Sequence, residues 1–205
     1  MSFVEIKGIK NAKALEDVGA CKIILESDFS RDTIIREIDK LFDNREDYNK
    51  MEKKISDSKI EQVYQVRPEH LNGAGRLFGG RLMEWIDEAA GLVGIRHSQC
   101  NVITASVDNL RFIRGAYQND LLVLAGRLTY VRTTSMEVRV DTYVETLDGI
   151  RRPINRAYLT LVAVDKDGSP TKVPSVILET ESEKAEWEAG KRRRELRIQR
   201  KKEGF

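Results

Sequence analysis

Cysteine and histidine are scarce in this 205-residue chain, with two of each. Cys21 and Cys100 form no disulfide framework and no metal-ligand spacing; as free thiols they suit a reducing cytoplasm, which is the expected setting. His70 and His97, with no Cys/His cluster around them, leave no zinc pattern, so no metal is expected. No apolar run approaches the ~20 residues that cross a bilayer, so no membrane span is expected. The N-terminal MSFVEIKGIKNAK lacks the hydrophobic core of a secretory signal, which argues against export. Charge of either sign is nearly balanced, 35 basic against 33 acidic side chains. That balance names no partner, although a local basic surface would suit an anionic ligand. What remains is an ordinary soluble composition, 40% apolar and 33% charged. The length fits one medium domain, or one small domain with an extension.

The informative stretch runs from His70 to His97, HLNGAGRLFGGRLMEWIDEAAGLVGIRH. A polar, glycine-rich loop holds Asn72, then Phe78-Gly79-Gly80 leads into a helix predicted from about Arg81 to His97. Leu82, Met83, Trp85, Ile86, Ala89, Ala90, Leu92, Val93 and Ile95 make that helix apolar almost all round, the pattern of a buried helix. Asp87 sits in its middle, and a carboxylate there is costly unless it is paired, solvated in a cleft, or used. Two glycines at a helix start admit another molecule close to the backbone. The first-turn N–H groups, at the positive end of the helix dipole, can hold an oxyanion. Asp87 could then activate a water or attack directly, with Asn72 orienting either partner. The plain alternative is a tight turn and a capping or ion-paired Asp.

Downstream the period changes from helix to strand. Ile60–Val66 reads as a first strand, with further strands near 101–114, 121–132, 134–147 and 154–165. Glu137-Val138-Arg139-Val140-Asp141 alternates as a half-buried antiparallel strand does. Leu147-Asp148-Gly149 and Asp165-Lys166-Asp167-Gly168 read as hairpin connections. One buried helix wrapped by one curved antiparallel sheet is an α+β layer architecture.

The segment NGAGRLFGGRLMEWIDEAAG resembles the signature of the cytosolic acyl-CoA thioesterases of the hotdog-fold superfamily. The likeness continues through Val102–Asp108, Phe112, Thr134–Val138, Leu161–Asp165 with Gly168, and Val173-Pro174, covering about residues 59 to 200. It implies a hotdog fold and hydrolysis of acyl-CoA to fatty acid and free CoA, with no cofactor beyond the CoA of the substrate. It also implies that Asp87 is the catalytic carboxylate, as base or nucleophile, and that Asn72 positions water or thioester. The Gly79 and Gly80 amides would be oxyanion donors, and Arg76, Arg114, Thr134 and Ser135 are candidate CoA contacts. In that family Asn and Asp of one site come from opposite protomers, so a homodimer, or a trimer of dimers, is implied. An unpaired sheet edge points to dimerisation on physical grounds as well. Arg132-Thr133 occupies a place where many relatives have a glycine, which bears on the nucleotide end of the site. Glu84, three residues before Asp87 and on roughly its face, is the rival acid. A non-catalytic acyl-CoA-binding module is the alternative reading, because fold alone does not decide function. A dehydratase would want a His beside its acid, and His97 stands at the far helix end.

Residues 1–58 stand outside this pattern. They read as a helix from Asn11 to Val18, a strand from Cys21 to Leu25, and a helix with Ile34, Ile38, Leu41 and Phe42 on one face. A charged helix from Arg45 to Ile55 and a linker through Ser58 follow. NAKALEDVGACKIILESDFSRDTIIREIDKLFDNREDYNKM is similar to the C-terminal end of the bacterial peptidoglycan N-acetylglucosaminyltransferase. The His-Gln pair expected before Asn-Ala is replaced by Lys7-Gly8, so this segment reads as a remnant without glycosyl transfer. The expected organisation is thus an extension (1–58), a hotdog domain (59–180) and a charged C-terminal helix (181–205). That last helix runs from acidic to basic, as the helix dipole favours, and reads as a solvated tail. No aromatic residues alternate with its basic ones, which argues against nucleic acid as a partner.

Overall fold

The structure is a computed structural model that describes Ser30 and residues 52–204, apart from the side chain of Asn109. Two compact units divide the chain, 1–46 and 47–205. Nearly all of the described residues belong to the second, and the elements expected within 1–51 lie outside them.

The long helix α1 (Gly79–Ser98) begins two residues earlier than its pattern suggests. Phe78 is the extended N-cap residue, and its carbonyl accepts from Leu82 N–H at 3.2 Å. Gln99 ends the helix in the left-handed conformation, φ 52°, returning its N–H to the Ile95 carbonyl. Around it curve β2 (Ile60–Gln65), β3 (Asn101–Phe112), β4 (Leu121–Val131), β5 (Ser135–Glu145) and β6 (Arg151–Val164). They form one antiparallel sheet in the order β2-β4-β5-β6-β3. This is the hotdog arrangement, an α+β fold. β6 runs through Pro153, which sits where the β5–β6 register is irregular and a missing N–H is tolerated. The Asp148-Gly149 turn, with Gly149 at φ 82°, closes that hairpin.

Cross-strand neighbours share a face, so the ladder sorts the side chains. Met136 opposite Leu161, Val138 opposite Leu159 and Val140 opposite Ala157 face α1 and are fully buried. Trp85, Ile86, Ala89, Ala90 and Val93 meet them from the helix. The other face carries Glu137, Arg139 and Asp141, opposite Thr160, Tyr158 and Arg156. The sequence pattern reads that face as solvated; instead helix α2 (Glu181–Glu203) covers it. Glu137, 1% exposed, accepts from Arg193 at 2.8 Å and Arg197 at 3.0 Å, both on α2. Arg139 reaches Glu186 at 2.7 Å, and the Arg193 guanidinium lies 3.8 Å over the Tyr158 ring. The expected solvated tail is therefore a docked helix. Its arginines neutralise acids on the sheet, an arrangement that charge runs alone do not reveal.

Glu52–Ser58 also departs from its reading as helix end and linker. Glu52–Lys54 is strand β1, paired in parallel with β7 (Ser175–Ile177), and residues 55–58 form a 3-10 turn. Ile55 and Ser58 are buried, and Lys53 Nζ donates to the carbonyls of Arg96 and His97 at the end of α1. The strand is only three residues long and charged, too short to show a period. No described helix is long and apolar enough to cross a membrane.

A chain starting at Asp47 keeps every described element of the sheet domain and serves as the reference for urea unfolding. A chain starting at Lys59 loses β1 and the Ile55 plug, and is expected to be less stable by about 2–4 kcal/mol. Fluorescence reads this well, because both tryptophans, Trp85 and Trp187, belong to the sheet domain. Equal midpoints for the two chains would return 52–58 to the status of a linker.

Candidate active site

Although α1 is apolar nearly all round, its own sheet covers only part of it. Met83, Leu92 and Ile95 remain 44%, 42% and 45% exposed. Asp87 lies on this uncovered side and is exposed too, so the helix is less buried than its pattern suggests and the carboxylate is solvated in a cleft. From strand β3, Thr104 Oγ1 donates to Asp87 Oδ1 at 2.6 Å. Thr104 pairs with Leu161, placing it on the helix-facing side of the sheet. A β-bulge between Thr104 and Ser106 then reverses the alternation. Asp108 therefore points the other way, to Arg197 at 2.9 Å and Arg200 at 3.3 Å on α2. The bulge lets one strand serve both layers.

The three acids of α1 are thus sorted by partner. Glu84 forms an exposed pair with Arg81 at 2.7 Å. Glu88 accepts from the Tyr64 hydroxyl at 3.2 Å, and Tyr64 stacks on Trp85 with ring centres 4.5 Å apart. Asp87 and Glu88 each accept from a hydroxyl, Thr104 and Tyr64 respectively, and both open onto a cleft of about 430 Å³. Gln62, Gly91, Leu92, Ile95, Val102 and Thr104 line the cleft with them.

The other half of the expected site gathers at the helix start. Asn72 Oδ1 accepts from the amides of Ala74 (2.9 Å) and Arg76 (3.3 Å), an Asx turn that shapes the loop. Among the described residues no hydrogen bond joins Asn72 to Asp87. No side chain caps the first turn at Gly79-Gly80, which leaves its amides for another acceptor. The glycines also have a packing reason. A Cβ on Gly80 would lie 2.5 Å from the Phe78 ring, and one on Gly79 would lie 3.3 Å from Phe112. Arg76 lies against Gly115, next to Arg114, and Leu77 N–H donates to Ala116 O at 2.8 Å. Both arginines therefore border the Asn72 loop and are exposed. Thr134 and Ser135 are instead at the β4–β5 turn, with Arg132 N–H donating to the Ser135 carbonyl; they line neither the cleft nor that loop.

The histidines are occupied elsewhere. His70 Nδ1 accepts from Arg67 N–H, and its ring stands edge-on to Trp85. His97 is fully buried between Ser58 Oγ (3.3 Å) and the Pro174 carbonyl (2.9 Å). Among the described residues no group of His, Cys, Asp and Glu could hold a metal.

A sequence profile of the thioesterase superfamily matches residues 74–149, and one of the glycosyltransferase family 28 C-terminal domain matches 7–66. An uncharacterized acyl-CoA thioester hydrolase of Bacillus subtilis is 39% identical over 128 residues, covering 62% of this chain and 74% of that one. The chain belongs to the thioesterase superfamily. The rat cytosolic acyl coenzyme A thioester hydrolase is 33% identical over 154 residues, 73% of this chain; the chain spans only 40% of that protein. Among solved structures, an apo-hexameric acyl-CoA thioesterase superimposes with TM-score 0.70 at 37% identity, covering 73% of this chain and 97% of its own. An acyl-CoA hydrolase of Staphylococcus aureus, in complex with butyryl coenzyme A and coenzyme A, gives 0.71 at 34%, covering 75% and 94%. That enzyme has also been solved with one Asn, one Asp and one Thr each replaced by Ala. The three positions are separated by 15 and 17 residues, the intervals from Asn72 to Asp87 and from Asp87 to Thr104. The hydrogen bond from Thr104 to Asp87 is the contact that sequence reasoning missed. Its signal was a hydroxyl on the inward side of an otherwise aliphatic strand start.

Burial holds the His97 pKa below its ordinary 6.5, the Pro174 carbonyl pulling the other way and Lys53 adding to the lowering. The unfolded chain therefore takes up this proton first on acidification. The stability that neutral His97 contributes is complete above about 6.5 and is lost as pH falls from there through the folded value. Denaturation midpoints are expected to drop as pH falls below about 6.5, with a shallower slope in His97→Gln. An unchanged slope would assign the acid loss to other groups.

Proposed function

We propose that the protein is an acyl-CoA thioester hydrolase, converting acyl-CoA and water to a fatty acid and CoA. The observation that carries this is Asp87, tethered by Thr104 through one oxygen, with the carboxylate opening onto a cleft of mixed lining that Gly91, Leu92, Ile95 and Val102 extend on its apolar side. In the proposed reaction Asp87 takes a proton from water, whose oxygen attacks the thioester carbon. The amides of Gly79 and Gly80 hold the resulting oxyanion. Collapse breaks the carbon–sulfur bond, and the CoA thiolate takes the proton from Asp87. Asn72 orients the water or the thioester carbonyl, and Arg76 and Arg114 meet CoA phosphates. CoA belongs to the substrate, and these steps use no other cofactor. A cytoplasmic setting suits Cys100, a half-buried free thiol.

The site is composite in this reading. Asn72 serves its own loop, while the uncovered strip of α1 adjoins the free edge of β3, where Ile103 and Val107 are also exposed. Pairing of two β3 edges would cover both and bring one protomer's Asp87 to its partner's helix start. The hexameric neighbour supports a further step, a trimer of such dimers. Residues 1–58, similar in part to a glycosyltransferase tail, are dispensable for catalysis in this reading.

Asp87→Asn is expected to lower kcat for thiol release from acyl-CoA by ~10²–10⁴, while Glu84→Gln stays near wild type. The reverse order would move the assignment to Glu84, and acyl-CoA binding without thiol release by the wild type would leave a binding module. Mixed Asn72→Ala and Asp87→Asn subunits are expected to regain part of the activity, since one site per heterodimer keeps both groups. No recovery despite measured subunit exchange would mean that each protomer holds its own complete site.

A further inference from the structure

Resting on the thioesterase reading, we infer that the acyl chain lies along α1 beyond Asp87, and that Gly91 and Ile95 set the chain length the enzyme takes. Asp87, Gly91 and Ile95 are four residues apart and so fall on one line of the helix surface. All three line the same cleft, with Gln62, Glu88 and Thr104 as its other polar groups and Leu92 and Val102 as apolar walls.

Gly91 is the telling residue. A glycine inside a helix is disfavoured relative to alanine, so it needs a reason. Two other glycines have one inside the fold. A Cβ on Gly94 would lie 2.7 Å from Leu161 Cδ1, and one on Gly126 would lie 2.9 Å from a Val93 methyl. A Cβ on Gly91 would meet nothing within 4 Å. The space above it is the cleft itself, beside the carboxylate. Packing within the protomer does not ask for glycine here, whereas a ligand running between this helix and the partner that covers the strip does.

The helix is also a ruler. From Asp87 to Ile95 the rise is about 12 Å, and Gly91 stands halfway, at about 6 Å. An extended alkyl zigzag with carbon–carbon bonds of about 1.5 Å covers that span with about ten carbons, and reaches Gly91 at about the fifth. The cleft therefore takes medium chains, Gly91 lets the chain pass, and Ile95 stands at its end.

The test is kcat/KM for straight-chain acyl-CoAs from acetyl to palmitoyl, on the full chain. Wild type is expected to peak near decanoyl-CoA. Gly91→Leu should lower the decanoyl-to-butyryl ratio about tenfold or more, Gly91→Ala should lower it less, and Ile95→Ala should move the peak to longer chains. If the variants scale every substrate by one factor, the acyl chain runs elsewhere and this inference is overturned while the thioesterase reading stands. If the wild type releases no thiol from any chain length, the thioesterase reading itself falls, and this inference with it.

Discussion

Everything in the sheet domain depends on how closely α1 lies in the concavity of its sheet. Two missing side chains set that distance. Gly94 on the helix receives Leu161 and Val102, and Gly126 on β4 receives Val93 and Ile60. A methyl at either position would stand under 3.0 Å from a buried neighbour. Interiors at crystal-like density have no slack to absorb that, so the helix would have to lift. Lifting it would separate Asp87 from Thr104, whose 2.6 Å hydrogen bond spans helix and strand. Core packing and the candidate chemistry are therefore one constraint seen from two sides of the same helix.

The opposite face of the sheet solves a different problem. Glu137, Arg139 and Asp141 alternate with core residues along β5, and α2 removes them from water. Desolvating such charges costs several kcal/mol each, and ion pairing commonly does little more than offset it. What the network supplies is register. Gly190 lets α2 approach until Tyr130 and Glu137 fill the space of its missing side chain. Arg193 and Arg197 can then reach one buried carboxylate together only at one placement of the helix. Trp187 against Tyr130, ring centres 4.7 Å apart, fixes the near end.

Much of this was legible in the residues. The apolar period of α1, the alternation in β5 and the Asp-Gly turn each have one conformational solution, and they gave the helix, the strands and the hotdog order. Asp87 and the Gly-Gly helix start stood out because a carboxylate and two glycines break a helix pattern that otherwise holds. The misses share a cause: each depends on contacts distant in sequence. Glu52–Lys54 becomes a strand only because Ser175–Ile177 lies beside it. The α2 arginines look solvated until they are set against acids 56 to 92 residues earlier. Thr104 carries no mark beyond its place in a strand, and the bulge after it, which decides where Asp108 points, has no glycine to announce it. Exposure of the Asp87 strip was misread for the opposite reason. Sequence apolarity reports what will be buried in the assembled protein, whereas one protomer covers only the part its own sheet can reach.

That mismatch carries the last step of the argument. In a lone protomer Asp87 is solvated, and so are Met83, Leu92 and Ile95 around it. An aliphatic surface of this kind gains free energy by leaving water, about 25 cal/mol for each Å² covered. Covering it also strips water from the carboxylate, strengthening its interactions with whatever dipoles replace the solvent. In the proposed dimer those dipoles are the partner's first-turn amides and its Asn72 loop, together with the thioester. Association and the electrostatics of catalysis would then draw on the same apolar strip. Asn72, held meanwhile by its Asx turn, and the uncapped helix start are already formed before the partner arrives. The arrangement asks little reorganisation of the backbone and places the change in solvation at the one acid of α1 that no arginine or tyrosine has claimed.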